Sequence, residues 1–293
     1  MINRKLSFND TNDQYMRAKR NIGIVNDTSK IKLSIQGENA LGLINNFANS
    51  HLNEYDTCKC VGLYKNKKFI DEAIIFQINP KYFILLINNE KKVVKMLKKV
   101  YKSFPFTIVN NISNQYSLFS FHGKNAITYF NNYKAKYLFK VNQQGYTYYH
   151  LLTPKKDEVN VLNYFLSQKF TSINLETKKI FLYNNKVINN FQNISWRFKE
   201  KLIHTQYPLP NENSEFAVEI FEALDHSIIS KNTKILNYKR NVCGVVCYSF
   251  KLPCKKYPFL LGLVSNSNNN ILIINSNKKE ILIRKLYTNY ETS

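Results

Sequence analysis

Arginine is scarce in this sequence although lysine is abundant. Lys and Arg number 42 against 20 Asp and Glu, a formal net charge of +22, yet only six of the 42 are Arg. A positive surplus attracts polyanions such as RNA, an anionic membrane surface or an acidic cofactor tail. Arginine is the side chain favoured for phosphate and base contacts. Its scarcity therefore counts against nucleic-acid binding and favours a solvated lysine surface.

Disulfide frameworks and metal-ligand clusters are missing as well. The cysteines are odd in number and lack framework spacing, which argues against a disulfide-stapled secreted domain; they are Cys58, Cys60, Cys243, Cys247 and Cys254. Neither close pair has the partner spacing of a zinc site. We expect reduced thiols packed on strands and no bound metal. The five histidines form no ligand spacing either, and we interpret His122 as a polar turn residue.

Long hydrophobic runs are also absent. The longest, "YFILLI" at residues 82–87 and "FLLGLV" at residues 259–264, are too short to cross a bilayer. The first twenty residues contain no apolar signal-peptide core. We expect a soluble, cytoplasmic protein that is not inserted in a membrane. The sequence also has no phosphate-cradling glycine loop and no Gly-x-Ser-x-Gly elbow.

One short motif occurs twice. "SIQGENA" at residues 34–40 returns as "SFHGKNA" at residues 120–126, and 123 − 37 gives an offset of 86 residues between the glycines. In each copy an alternating run precedes a glycine turn and a run of helical periodicity follows it. Further strand-like segments come next, and then a helix, at residues 90–104 and 157–170. The long period indicates a duplicated subdomain.

These patterns predict an α+β fold with two pseudo-symmetric α/β subdomains and a small C-terminal antiparallel β-barrel. The predicted domains are 1–115, 116–236 with a connecting helix, and 237–293. Residues 215–229 have apolar side chains at helical spacing, at Val218, Phe221 and Leu224. From Tyr238 onward the chain alternates and turns as barrel strands do.

Seven motifs in order resemble the folate-binding aminomethyltransferase superfamily, which includes the T-protein of the glycine cleavage system. They are "GIVNDTS", "LSIQGENALGLIN", "LFSFHGKNAITYF", "QQGYTYYHLL", "SWRFKEKL", "AVEIFEAL" and "GVVCYSFKLPCKKYPFLLGLV". The resemblance covers most of the chain. It implies a central cleft between the subdomains that binds tetrahydrofolate or a derivative. It also implies transfer of a one-carbon unit from a small-molecule donor or a carrier-protein-bound substrate.

The resemblance also implies particular site residues. The family's Gly-Gly-x-x-Asp-Asp acids match Asp71 and Glu72, with lysines at 67 and 68 in place of the glycines. Neighbouring strand residues face opposite sides, so one acid enters the cleft. The register favours Glu72, and a one-residue slip would place Asp71 there. The implied cofactor-binding positions are Tyr146, Arg197, Lys199, Glu219, Lys231 and Arg240.

Three hypotheses for function remain open. The first is a tetrahydrofolate-dependent one-carbon transferase with Glu72 or Asp71 as the catalytic acid. The second is a folate-binding or assembly factor with the same fold and an eroded site, because Lys199 occupies the position of the family's pterin-binding glutamate and an ammonium group accepts no hydrogen bond. The third is an RNA-binding protein that uses its basic surface, which would bind more weakly as salt increases.

Overall fold

The computed structural model describes residues 8–53, 57–133, 135–187, 196–210, 214–227, 229–252, 255–265, 271–276 and 279–286, with only the backbone described at 8–10, 101 and 196–198. The chain divides into two units, Met1–Phe181 and Leu182–Ser293. Within the described ranges, no helix combines the length and the apolar character needed to span a membrane.

The first unit contains both copies of the repeated motif. It opens with helix α1 (Phe8–Arg20) and strand β1 (Gly23–Asn26). The first copy comprises β2 (Ile31–Gly37), α2 (Ala40–Asn45), β3 (Cys58–Lys65), β4 (Lys68–Asn79), β5 (Tyr82–Ile87) and α3 (Glu90–Val100). The second comprises β6 (Thr107–Asn111), β7 (Tyr116–His122), α4 (Asn125–Asn131), β8 (Leu138–Gln143), β9 (Tyr146–Pro154) and α5 (Glu158–Ser167), and is followed by β10 (Thr171–Ser172) and α6 (Leu175–Asn184). The two predicted strand–turn–helix corners are thereby confirmed at β2–α2 and β7–α4.

The two sheets of this unit exchange a strand. Their strand orders are β3-β4-β5-β2-β6 and β10-β1-β7-β9-β8. Strand β1, which precedes the first copy, pairs antiparallel with β7 of the second copy. Strand β6, which leads into the second copy, pairs antiparallel with β2 of the first. The sheet of the second copy is therefore completed by β1, which lies next to the first copy in the sequence. The sheet of the first copy is completed by β6, which lies next to the second copy in the sequence.

Three hydrophobic clusters give this unit an α/β/β/α layering. The first-sheet helix cluster joins α2 and α3 to one face of the first sheet, through residues such as Leu43, Val93, Leu97, Ala73 and Ile75. The intersheet cluster joins the two sheets, through residues such as Phe76, Leu86, Leu118, Phe139, Val141 and Tyr148. The second-sheet helix cluster joins α4 and α5 to the far face of the second sheet, through residues such as Phe121, Phe130 and Phe165. Each fully buried ring contributes roughly 1.5–3 kcal/mol.

The glycine of each repeated corner is required by close backbone packing. Gly37 has φ +130, and a Cβ there would lie 1.8 Å from the carbonyl oxygen of Phe106. Gly123 has φ +114, and a Cβ there would lie 2.6 Å from the carbonyl oxygen of Ala18. Both the left-handed backbone and the contact exclude any other residue without a local shift. Each copy of the motif therefore requires its glycine, because each corner accommodates another segment of the chain.

The second unit contains the β-barrel. After α7 (Trp196–Gln206) come β11 (Phe216–Ala223), β12 (Lys234–Leu236), β13 (Val242–Phe250), β14 (Phe259–Ser265), β15 (Ile271–Ser276) and β16 (Lys279–Lys285). These strands form a closed barrel in the order β11-β14-β13-β12-β15-β16. The predicted C-terminal barrel is confirmed, and two of its strands lie before residue 237.

The predicted helix at residues 215–229 is wrong, because residues 216–223 form strand β11. This strand pairs with both β14 and β16 and so closes the barrel. Phe221 and Ala223 belong to the barrel core, whereas Val218 and Ile220 are buried without belonging to that cluster. Apolar residues on both faces of one strand hide the two-residue period, which is why the spacing resembled that of a helix.

Candidate functional site

The two acids of β4 point to opposite faces of the first sheet. Asp71 lies on the same side as Ala73 and Ile75, which belong to the first-sheet helix cluster. Glu72 lies on the same side as Phe76, which belongs to the intersheet cluster. This follows from the alternation of side chains along a strand. Both acids are buried, with 7% and 8% of their surface exposed.

Asp71 is engaged at the start of α3. One carboxylate oxygen, Oδ2, accepts the backbone N–H groups of Asn88 at 2.9 Å and of Asn89 at 2.8 Å. These two residues immediately precede the helix, where backbone donors lack a partner within the helix and the helix dipole favours an anion. Asp71 therefore links β4 to the start of α3 through these hydrogen bonds.

Glu72 shares one donor with Asp71, because the side-chain amide of Asn88 also lies 3.4 Å from Asp71 Oδ1, and its other neighbours differ. Its Oε1 accepts the side-chain amide of Asn88 at 3.0 Å, and its cross-strand partner on β3 is Gly62, which has no side chain. The thiol of Cys60 is close enough that burial and then the Glu72 charge raise its pKa to about 12. Glu72 is thus the acid on the intersheet face, and Asp71 is the acid on the helix face.

A buried polar chain that the sequence did not single out runs through the second sheet. Asp27, which is 2% exposed, follows β1, and its Oδ2 accepts the Ser120 hydroxyl at 2.5 Å. Lys178 of α6 forms an ion pair with the same oxygen. Burial alone would raise the pKa of Asp27, but Lys178 and the Ser120 hydrogen bond outweigh it, so the pKa lies below its ordinary value. This carboxylate is charged, and both partners bind its Oδ2.

His122 continues this chain on β7. Its Nε2 lies 3.0 Å from Ser120 Oγ and its Nδ1 lies 3.1 Å from the Tyr146 hydroxyl. Because Ser120 donates to Asp27, its oxygen accepts from Nε2–H, and Nδ1 is left to accept from Tyr146. Burial, and then the charge of Lys178, holds the His122 pKa well below its ordinary value. The chain is a one-directional series of hydrogen bonds from Tyr146 to Asp27.

The interpretation of His122 as a polar turn residue is therefore wrong, because the ring is fully buried at the end of a strand. It stacks on Tyr148 with ring centroids 5.1 Å apart. Serine and histidine alternate with phenylalanine in "FSFH", and both faces of β7 are buried. The aspartate of "GIVNDTS" was the available signal, since an acid directly after a buried strand needs a partner.

Tyr146 is the one predicted cofactor-binding residue of the first unit. Its hydroxyl is bonded to His122, and burial raises its pKa above its ordinary value. His150 lies beside this series of hydrogen bonds, and burial lowers the pKa of its imidazole to about 3. His150 Nδ1 is buried without a hydrogen-bond partner among the residues that the structure describes.

The other predicted cofactor-binding residues belong to the second unit. Glu219 lies on β11 and pairs with Lys186 at 2.7 Å and with Lys285 at 2.9 Å. Burial alone would raise the pKa of Glu219, and the hydrogen bonds of these two lysines outweigh it, so the pKa is lowered. Lys231 lies 4.3 Å from the centroid of an aromatic ring of β13. The position of Glu219 on a strand corrects its predicted place on a helix.

The remaining predicted positions are spread over this unit. Arg240 lies in the exposed turn between β12 and β13 and pairs with Glu280 at 3.1 Å. Lys199 lies half-buried on α7. Arg197 is in the same helix, and its side chain lies outside the described residues.

Metal ligation finds no support in the part of the chain that the structure describes, where no group of three His, Cys, Asp or Glu residues is placed to hold an ion. The four described cysteines are free thiols on β3 and β13. Cys254 lies outside the described residues.

The fold resembles that of a solved protein structure. The structure matches glycine cleavage system aminomethyltransferase T from Bartonella henselae with a TM-score of 0.74 and 12% identity, over 94% of this chain and 88% of that chain. Heterotetrameric sarcosine oxidase from Corynebacterium sp. U-96 matches over 54% of this chain and 89% of that chain, with 9% identity and a TM-score of 0.38, too low to bear on the fold. No protein-family model matches the sequence, and no curated protein matches it. The chain therefore has the aminomethyltransferase T fold, as its motifs predicted.

Proposed function

We propose that this chain is a one-carbon transferase that uses tetrahydrofolate or a derivative, with Glu72 as its catalytic acid. The observation that carries the proposal is that the two adjacent acids of β4 face opposite sides of the sheet and have different hydrogen-bond partners. Asp71 is bound to two backbone donors in front of α3, whereas Glu72 faces the other side of the sheet, at the position that the family register favours. The substrate would be a small-molecule one-carbon donor or a carrier-protein-bound group, and the setting cytoplasmic.

The residues present fit a folate in part. Glu72 is a buried carboxylate that can accept protons from a ring or amine nitrogen and stabilise positive charge on a neighbouring carbon. Asn88 orients it through the 3.0 Å hydrogen bond. When bound, the folate would supply the nitrogen atoms that carry the one-carbon unit. The acceptor for the pterin donors has to come from a residue other than Lys199, because an ammonium group only donates.

A second candidate function keeps ligand binding and lacks the transfer. Two observations favour it: Lys199 stands at the position of the pterin-binding acid, and Glu219 is already neutralised by two lysines. In this form the chain would be a folate-binding or assembly factor. It would bind a reduced folate without turning over any one-carbon donor.

Calorimetric titration with tetrahydrofolate, combined with a one-carbon transfer assay, tests both proposals. We expect binding by the wild type and a loss of turnover of at least about tenfold in Glu72→Gln, which keeps the shape and removes the charge. Glu38→Gln is the matched control, since Glu38 is an exposed acid of the same sheet region, 64% accessible and paired with Lys81. Binding without turnover would support the factor. Absence of binding would refute both.

A further inference from the structure

Six lysines form one continuous surface on α3 and the 3₁₀ turn that follows it, Tyr101–Ser103. They are Lys91, Lys92, Lys95, Lys98, Lys99 and Lys102, and every one is exposed. At 100° per residue their positions fall within about 120° of the helix circumference and along about 16 Å of its axis. We call this surface the α3 lysine stripe.

The stripe is electrostatically unpaired. None of its six ammonium groups has an ion-pair partner among the residues that the structure describes. Lysines elsewhere are often neutralised, as in the pairs Lys81–Glu38, Lys155–Glu158 and Lys279–Asp225. Six like charges on one helix face repel each other, and a polyanion would relieve this repulsion. The stripe therefore concentrates part of the +22 charge at one place.

The opposite face of α3 decides between two kinds of polyanion. Val93, Met96 and Leu97 are buried in the first-sheet helix cluster. A helix that binds a membrane surface inserts its apolar face into the headgroup region. In α3 that face is already packed against the sheet, so the helix offers charge alone. This favours a flexible polyanion over a bilayer.

An exposed aromatic ring follows the stripe. Phe106, four residues beyond Lys102, is 82% exposed and has φ +59. Four residues of chain span at most about 14 Å, so the ring lies within reach of a strand bound along the stripe. Single-stranded nucleic acids bind to surfaces that combine a basic track with aromatic rings for stacking bases.

We propose that the α3 lysine stripe binds single-stranded nucleic acid through its phosphates, with Phe106 stacking on one base. Lysine binds phosphate as a point charge and lacks the planar fork that reads guanine. The interaction is therefore independent of base sequence and strongly dependent on salt. It is also independent of the folate proposal, because it uses a different set of residues.

Fluorescence anisotropy with a labelled 20-nucleotide single-stranded RNA, in 50–300 mM KCl, tests this proposal on the full chain. The test variant replaces Lys91, Lys95, Lys98 and Lys102 by Gln. Each phosphate contact contributes about 0.7 to the slope of log K against log salt, so the variant should lower the slope by up to about 3. Affinity at 100 mM KCl should fall by at least about tenfold. Phe106→Ala should weaken binding by about fivefold or more without changing the slope.

The control variant replaces four exposed lysines elsewhere, Lys124, Lys140, Lys156 and Lys251, and so removes the same charge. We expect it to lose less than about threefold in affinity. Circular dichroism would confirm that both variants fold. Equal losses in both variants, or no binding by the wild type at 50 mM KCl, would overturn the proposal. A stripe-dependent interaction with phosphatidylserine vesicles, without one with RNA, would overturn it in favour of a lipid surface.

Discussion

Replacing Asp71 should loosen the start of helix α3, and this outcome separates the two acids of β4. The carboxylate accepts two backbone N–H groups, at 2.9 and 2.8 Å. Leaving a buried donor without a partner costs about 1–3 kcal/mol, and losing an anion at a helix N-terminus costs a further 0.3–1 kcal/mol or so. Asn88 is exposed, so water can replace part of the contact. We therefore expect Asp71→Ala to cost about 2 kcal/mol, and Asp71→Asn about half of that.

Amide hydrogen exchange measures this effect at the two donors themselves. In Asp71→Ala the amides of Asn88 and Asn89 should exchange at least about tenfold faster than in the wild type. Thermal unfolding followed by circular dichroism should shift down by about 4–8 °C. Glu72→Gln is the matched comparison, since a glutamine retains an oxygen for the Asn88 side chain. It should leave both amides protected.

Two results would refute this reasoning. Unchanged exchange at Asn88 and Asn89 in Asp71→Ala would mean that the carboxylate does not hold the helix start. Equal loss of protection in Glu72→Gln would mean that the two acids act together, and the proposed separation of a structural from a catalytic acid would be lost.

Three further predictions concern other buried groups. Lys178→Met should destabilise the protein by about 3–5 kcal/mol because it leaves the charge of Asp27 buried alone; adding Asp27→Asn should recover part of this loss in chemical denaturation, and a strictly additive double variant would contradict the pairing. Burial lowers the pKa of Lys32 from 10.5 to about 8, so between these values the unfolded chain holds a proton that the folded chain has lost. The contribution of Lys32 to stability should therefore rise with pH in this window, by at most about 3 kcal/mol. The measurement is the difference in unfolding free energy between the wild type and Lys32→Met as a function of pH, because Cys60 and Tyr146, whose pKa values are raised, act in the opposite direction in both proteins; a pH-independent difference would contradict the prediction. Gly37→Ala should destabilise the protein far more than Gly145→Ala, although both glycines have positive φ. A Cβ at Gly37 would lie 1.8 Å from a carbonyl oxygen, whereas a Cβ at Gly145 would have no atom within 4 Å. Similar melting temperatures of the two variants would contradict the close-contact explanation.

Local sequence patterns were sufficient for most of the architecture. Alternation and turn residues predicted the repeated strand–turn–helix corners and the C-terminal barrel, because side-chain period and backbone preference are properties of a few neighbouring residues. The resemblance to the aminomethyltransferase T fold rested on the order of seven such patterns, and the structure confirmed that fold. Strand β11 was missed because apolar residues on both of its faces erase the period that distinguishes a strand from a helix.

The candidate site depended on contacts that no local pattern contains. The sequence showed two adjacent acids in β4 and predicted that they face opposite sides. That Asp71 binds the backbone amides before α3 followed only from the tertiary structure, because those amides belong to residues 17 and 18 positions later in the chain. The polar chain through His122 likewise joins Ser120 of β7 and Tyr146 of β9 to Asp27, which follows β1, and to Lys178 of α6.

The sequence by itself therefore determined the elements, the duplication and the excess of positive charge, since each follows from residue types and their spacing. The tertiary structure decided the exchange of β1 and β6 between the two sheets and the different hydrogen-bond partners of Asp71 and Glu72. The physical reason is that strand pairing and the burial of charge depend on which segments come into contact. When those segments are far apart in the sequence, the local sequence around either one does not specify the contact.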